Sequence, residues 1–362
     1  MRVVLLVTDL QPGGTPLRIA RLARRLSTSG VDVHVGCLAP RGPLHPALEA
    51  SEVPTFACDA RGPWDLAAAW RLARKLRDIR PDLIHATLTH ANVVARLVGR
   101  WLRIPVLTST ATIEIERRWH RWAERLTAPL DRGHIVSSPA LAEHVARRFG
   151  YAPECVFVVP PSLDPAPKRI DRAAARRQLG LAEQGFLVAW IGRMDPVKRL
   201  ALLVECAAQL ADVGVGWLLA GDGPERARIE ALLSRRHLAS VVRLVGWQSD
   251  VAAVLSAADA LLLPSRTEGV PNAVLEALAC GVPVVASDLP TLRALRADGA
   301  PLTLVQGDEP KPFVAALSGL RSDPAGADAQ SAASSAWAAR SLAPERTVRA
   351  LLAVYEAVLS QR

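Results

Sequence analysis

Residues 260–288 read ALLLPSRTEGVPNAVLEALACGVPVVASD. An apolar run over 260–263 passes through a Pro-Ser-Arg-Thr-Glu-Gly loop into a helical segment, which ends at Gly281 before a second apolar run over 283–286. Short runs without polar alternation fit strands buried on both faces, and a helix joining two of them is the crossover of a parallel sheet. The stretch is one β-α-β unit. Pro271 suits the first helical position, because the N–H it lacks would have had no acceptor there. The amides of Asn272, Ala273 and Val274 are then expected to point out of the helix start, a place that favours anions.

The same alternation extends in both directions. Strands are expected near 2–7, 32–37, 53–57, 82–85, 105–109, 133–136 and 155–159, then again near 186–191, 216–220, 241–245, 260–263, 283–286 and 302–305. Amphipathic segments fill the intervals, notably 15–29, 64–79, 89–102, 138–149, 198–211, 224–236, 248–257 and 271–279. Between the two series lies PPSLDPAPKR (160–169), where proline density disfavours both ladder and helix. A chain of 362 residues suits two cores better than one. The expected division is 1–165, 166–340 and a C-terminal helix over 341–362 that packs back toward the first domain. The tail from 309 is helical in pattern, with SDPAGADAQSAASS read as a polar interruption. The fold class is α/β, two Rossmann-like doubly wound domains facing across a cleft, with ligands at the C-terminal strand ends.

No apolar run approaches the length of about eighteen residues that spans a bilayer. RVVLLV runs directly into TDLQPGG without the features of an export signal and reads as a first strand. Five scattered cysteines without a Cys-x-x-Cys pair read as buried thiols in a reducing cytoplasm. The net charge of +9 is uneven: residues 1–165 hold 22 Lys and Arg against 15 Asp and Glu, residues 166–362 hold 22 against 20. A basic front half suits anionic lipid or a phosphorylated acceptor, and reads equally as an arginine-rich solvated surface. Nucleic acid is not expected as a partner, since no recognition module is present and the tryptophans are not spaced as stacking platforms. Ile115, Trp119, Trp122 and Leu126 share one helical face among arginines, the pattern of a helix lying in an anionic membrane surface and also of an ordinary core-facing helix.

Strand 186–191 is followed by Gly192-Arg193-Met194-Asp195-Pro196-Val197-Lys198, which sets two cations at a strand end. A departing nucleoside diphosphate needs a metal or fixed cations there. No Asp-x-Asp pair is present to hold a metal. Arg193 offers a planar fork to phosphate and Lys198 a compact charge, although the pair alone also reads as surface charge. Glu268 lies ahead of the helix start and Glu276 within the helix, so the two carboxylates flank the anion site; separately they read as a turn cap and a solvated residue.

GRMDPVKR, AGDGPERARIEALL and PSRTEGVPNAVLEALACGVPVVASD, in this order and spacing, resemble the family 4 retaining glycosyltransferases of GT-B fold, glycosyl transferases group 1. The resemblance implies transfer of a sugar from a UDP- or GDP-sugar, a substrate and not a cofactor, to a hydroxyl acceptor such as a lipid-linked or surface-glycan intermediate. It places Arg193 and Lys198 on the diphosphate, Glu268 on the sugar and Glu276 on the ribose. Gly192, Gly269, Val270 and Leu275 follow as backbone contacts to the donor, and Gly13 and Gly14 as neighbours of acceptor and donor phosphate. His85 and His90 fall on the acceptor side. Front-face attack is implied, without a metal and without a covalent enzyme intermediate; the cysteine usage and the 115–126 helical face, read separately, point to a cytoplasmic site peripheral to the inner face of the membrane.

The acceptor half departs from the family pattern. Pro16 stands where an acidic residue is common, Thr87 where a second histidine is common, and Thr110-Ala111-Thr112 where a histidine beside the sugar is common. Pro161-Ser162 and Leu289-Pro290 replace an Asn-Gly and a Gly-Gly. The departures fit an unusual acceptor, or a sugar-nucleotide-binding protein of the same fold with weak or lost turnover.

Overall fold

The computed structural model describes the chain except residues 12, 63–64, 111–117, 249 and 361–362 and the side chain of Arg118. The chain forms two compact units, Met1–Ser162 together with Pro344–Arg362, and Leu163–Ala343.

Unit 1 contains β1 (Arg2–Val7), β2 (Asp32–Cys37), β3 (Thr55–Ala57), β4 (Leu83–Thr87), β5 (Val106–Thr110), β6 (Gly133–Val136) and β7 (Val156–Val158). They form one parallel sheet in the order β3-β2-β1-β4-β5-β6-β7. Alternation along β1 separates two cores. Val3, Leu5 and Val7 pack with the Gly14–Thr28 helix and the C-terminal Pro344–Ser360 helix, whereas Val4 and Leu6 pack with helices Leu66–Ile79 and Thr89–Leu102. The C-terminal helix contributes Val348, Leu351, Tyr355 and Val358, all buried, to the first of these cores.

Unit 2 contains β8 (Phe186–Ile191), β9 (Val215–Ala220), β10 (Val242–Gly246), β11 (Ala260–Leu263), β12 (Val284–Ser287) and β13 (Leu302–Val305). Their order is β10-β9-β8-β11-β12-β13, again with parallel pairing. In each unit the connections leave in opposite directions from one neighbouring pair of strands, β1 with β4 and β8 with β11, which opens a crevice at their C-terminal ends.

Strands lie within two residues of the positions expected from their apolar runs, because a strand buried on both faces leaves little freedom in where polar residues begin. The division falls after Ser162 and again after Ala343. Two expectations need correction. The stretch SDPAGADAQSAASS breaks the helical tail only at Asp323, between helices Pro310–Ser322 and Pro324–Ser341; from Pro324 onward it is helix. Its small residues permit close approach, since a Cβ at Gly281 would stand 2.6 Å from Ser335 Oγ and 3.0 Å from Ser331 Oγ. Helices His45–Glu49, Arg172–Gln178 and Pro290–Ala297 are the second correction, being too short or too arginine-rich to give a clear period.

Candidate functional site

The unit 2 crevice is built from three loops locked by their backbones. The turn after β8 and the turn after β9 are stitched by Gly192 N to Ala220 O (3.0 Å), Met194 N to Asp222 O (2.8 Å) and Glu225 N to Met194 O (2.9 Å). Glycine is required for this approach: a Cβ at Gly221, whose φ is +146°, would stand 1.8 Å from Gly192 O. The loop after β11 joins through Arg266 N to Val197 O (2.8 Å).

Lys198 and Glu268 meet where these loops converge. Lys198 ends a 3-10 turn, Pro196–Lys198, and its Nζ donates to Glu268 Oε1 at 2.6 Å. Both side chains are largely buried, 19% and 7% exposed, so each charge depends on the other for its solvation. Thr291, fully buried at the start of helix Pro290–Ala297, donates its hydroxyl to the Glu268 carbonyl at 3.2 Å and fixes the loop from below. Sequence reasoning missed Thr291 because a threonine in a first helical turn has many ordinary uses. It missed likewise the buried Ser265 and Ser287 hydroxyls at the ends of β11 and β12, which have no hydrogen-bond partner among the described residues.

Arg193 is held differently. Its Nε pairs with Asp195 Oδ2 at 3.0 Å while the side chain stays 73% exposed. The structure therefore brings Lys198 and Glu268 together and leaves Arg193 exposed, paired with Asp195 within its own turn, where Gly192 precedes it.

Helix Asn272–Ala279 has Pro271 as its N-cap residue, one position earlier than expected. The amides of Val274 and Leu275 donate to the Pro271 carbonyl at 3.1 and 3.3 Å, so the expected free amide of Val274 is engaged. Only Asn272 and Ala273 lie too early in the helix for an intrahelical acceptor. Leu275 is buried in the core with its amide engaged, whereas Val270 and Glu276 are half-buried and Gly269 is buried in the loop between.

In unit 1 the Gly14–Thr28 helix begins after Gly13, an N-cap of extended backbone, with Leu17 N donating to Gly13 O at 3.0 Å. No acid occupies its first turn; Gly13 ends the loop after β1 and Gly14 opens the helix, at the crevice beside β4. His90 lies at the same end, in the first turn of Thr89–Leu102, with its ring edge-on to Trp119 and His120 at centroid distances of 5.2 Å. His85 does not belong to an open acceptor face. It is buried within β4, its Nδ1 2.7 Å from the Tyr355 hydroxyl of the C-terminal helix, and burial together with the charge of Arg18 pushes its pKa down to about 3.

A buried polar cluster escaped the sequence reading. Arg96, fully buried on Thr89–Leu102, donates to Glu124 Oε2 at 2.6 Å and to Asp131 Oδ1 at 2.9 Å, and also contacts the Tyr151 hydroxyl. Asn92 Nδ2 reaches Glu124 Oε1 at 3.2 Å. His134 bridges Thr108 and Thr110 at 2.6 and 2.9 Å. Two carboxylates around one guanidinium fix helix Arg118–Thr127 against its neighbour and thereby hold Trp119 beside His90. Of the four residues expected on one face of this helix, Trp119 is half-buried and Trp122 and Leu126 are exposed; Ile115 and the rest of 111–117 lie outside the described residues.

Residues 12–166 match the family described as Glycosyltransferase Family 4, and residues 185–323 match that described as Glycosyl transferases group 1. The chain is 30% identical over 403 residues to the D-inositol 3-phosphate glycosyltransferase of Salinispora tropica, covering 97% of this chain and 82% of that protein. It is 29% identical over 399 residues to the same enzyme of Geodermatophilus obscurus, covering 96% and 86%. The solved structure of Anabaena HepE, determined with UDP and glucose, superposes with a TM-score of 0.87 over 99% of this chain and 100% of that one, at 20% identity.

Proposed function

The chain belongs to the family 4 glycosyltransferases, glycosyl transferases group 1, with two Rossmann-like units of GT-B type, and from that premise we propose that it is a retaining enzyme that takes its sugar from a nucleoside diphosphate without a metal. The observation that carries the reading is the Lys198–Glu268 pair at the β8/β11 crevice, with Arg193 and the Asn272–Ala279 helix start beside it. Arg193, and Lys198 once its bond to Glu268 is shared, neutralise the diphosphate as it departs. The amides of Asn272 and Ala273 add partial positive charge at the same end. Glu268 then accepts from sugar hydroxyls and Glu276 from the ribose.

In the proposed step an acceptor hydroxyl oxygen forms a bond to the anomeric carbon from the face the phosphate leaves. The carbon–phosphate oxygen bond breaks and the departing diphosphate takes the acceptor proton, so no protein base and no covalent intermediate is needed. The acceptor belongs to the hydroxyl class, either a lipid-linked or surface-glycan intermediate; the inositol phosphate in the names of the relatives makes a phosphorylated cyclitol the first compound to try. The site is cytoplasmic, peripheral to the inner membrane face.

Thermal unfolding of the purified chain against a panel of UDP- and GDP-sugars tests the reading, because a ligand bound only by the native state raises the melting temperature. One nucleotide sugar should give a clear rise that is lost in Arg193→Ala and Glu268→Ala, followed by transfer with retained anomeric configuration in metal-chelated buffer. No shift with any nucleotide sinks it. Binding without transfer or hydrolysis across the acceptor panel favours instead a sugar-nucleotide-binding protein, the reading that the departures at Pro16, Thr87 and Leu289-Pro290 support.

A further inference from the structure

Six of the large apolar side chains exposed among the described residues lie on three neighbouring helices of unit 1, and they come as pairs spaced i, i+4: Leu66 with Trp70, Leu97 with Trp101, Trp122 with Leu126. Residues four apart stand one above the other on a helix face, so each pair makes one outward apolar ridge. The first two helices pack on Val4 and Leu6 of β1, and the third packs against the second, so the ridges rise from one side of the sheet. Scattered exposed leucines are ordinary; three adjoining ridges are not.

Positive charge surrounds them. Arg77 lies over the Trp101 ring at 4.5 Å and Arg121 near that of Trp122 at 5.9 Å. Beside Trp101 the helix end forms a groove of about 630 Å³ whose wall carries Arg100, Arg103 and Arg132 over Pro105, Pro129 and Leu130. Among the described residues these three arginines have no acidic partner. Asp131, in the same wall, is turned inward to Arg96, and Glu124, the acid of its helix, is buried. The only exposed acid on the three helices is Asp78.

We propose that this face docks on an anionic phospholipid bilayer, with the tryptophans and leucines at headgroup depth and a lipid phosphate in the Arg100–Arg103–Arg132 groove. Tryptophan with arginine is the chemistry of an interface between water and acyl chains, and among the described residues no helix is long and apolar enough to cross a membrane, so the unit lies on the surface. A second copy of the chain is disfavoured as occupant because an isologous contact would set arginines against arginines with Asp78 as the one exposed acid of these helices to answer them. Nucleic acid would use the arginines but leave the leucine ridges without a function. The inference deepens the peripheral placement proposed above and does not depend on the donor.

Co-sedimentation of the full chain with vesicles of phosphatidylcholine alone and of phosphatidylcholine mixed with phosphatidylglycerol tests it. Binding is expected only to the mixed vesicles and should weaken with salt. The variant Arg100→Glu/Arg103→Glu/Arg132→Glu, and separately Trp101→Ser/Trp122→Ser, should bind roughly tenfold more weakly or worse. Arg24→Glu, on the helix across the sheet, should bind as the parent does. Thermal unfolding shows each variant folded, and an unchanged donor-induced shift separates loss of docking from failure of the glycosyltransferase reading. Absence of binding to the mixed vesicles at low salt overturns the proposal. So does equal binding to both vesicles, an equal loss in Arg24→Glu, a dimer dissociated by Trp122→Ser, or DNA binding in place of vesicle binding.

Discussion

Lys198 Nζ lies 2.6 Å from Glu268 Oε1, so the two loops that flank the unit 2 crevice are joined by one charged hydrogen bond. The pair sits in a place that excludes most water, 19% and 7% exposed. Removing one partner leaves the other charge buried alone, whereas removing both leaves two neutral groups. Lys198→Met is therefore expected to lower unfolding free energy by about 2 kcal/mol. The double variant Lys198→Met/Glu268→Gln should recover much of that loss while still failing to bind the nucleotide sugar. Urea unfolding and donor titration check both halves; additive stability losses would show that the pair is not coupled.

Arg193 should behave in the opposite way. Its side chain is 73% exposed and its bond to Asp195 is a surface pair, so Arg193→Ala is expected to change stability by less than about 0.5 kcal/mol. Each charge-assisted bond lost to a diphosphate costs about 1.5–3 kcal/mol, roughly ten- to a hundredfold in donor affinity. Arg193→Lys should fall between, since an ammonium cannot reproduce the fork. Calorimetric titration decides it, and unaltered affinity in Arg193→Ala removes this residue from the site.

The glycines of unit 2 divide into those that only bend the chain and those that let loops touch. Gly214, at φ +73°, has no atom within 4 Å of an added Cβ, so Gly214→Ala should cost about 1 kcal/mol of backbone strain and leave donor binding intact. At Gly221 the added Cβ would meet Gly192 O at 1.8 Å, which forces the β8 and β9 turns apart. Gly221→Ala should cost about 3 kcal/mol and also weaken the donor, because the turn that moves carries Arg193. Paired melting curves with and without nucleotide sugar compare the two; equal behaviour would mean that the stitching does not position the site.

What was legible in the chain is tied to period and to local chemistry. Strands β8 and β11 announce themselves as apolar runs, and Lys198 and Glu268 follow them at the ends where parallel sheets bind ligands. Side-chain partners across large sequence separations were not legible. Nothing near Arg96 marks it as buried with Glu124 and Asp131, because an arginine on a helix is ordinarily solvated. His85 looked like a site residue for the same reason: its partner, Tyr355, lies 270 residues away in a helix whose docking depends on the completed core. Pro324–Ser341 was hidden by composition, since alanine and serine give no hydrophobic stripe yet fit closely where a larger residue would meet Gly281.

Two buried histidines make unit 1 sensitive to acid. Burial, with the nearby Arg18 charge, pushes His85 down to about 3, and burial, with the charges of Arg96 and His85, pushes His134 well below its ordinary value. An unfolded chain protonates these rings near pH 6.5, whereas the folded chain keeps His85 neutral until about pH 3. Between those values the unfolded state holds more protons, so stability is fully present above pH 6.5 and is lost as pH falls. The slope contributed by His85 approaches about 1.4 kcal/mol per pH unit, or about 2 kcal/mol between pH 6.5 and 5, and His134 acts in the same direction. Urea unfolding at pH 7, 6 and 5 should show this decline. His85→Leu removes one ring from the balance and the Tyr355 bond with it, so its stability should be lower at pH 7 but should fall less steeply toward pH 5. A parent chain equally stable at pH 7 and pH 5 would show that neither ring stays neutral in the folded core, and an unchanged slope in His85→Leu would assign the acid sensitivity to other groups.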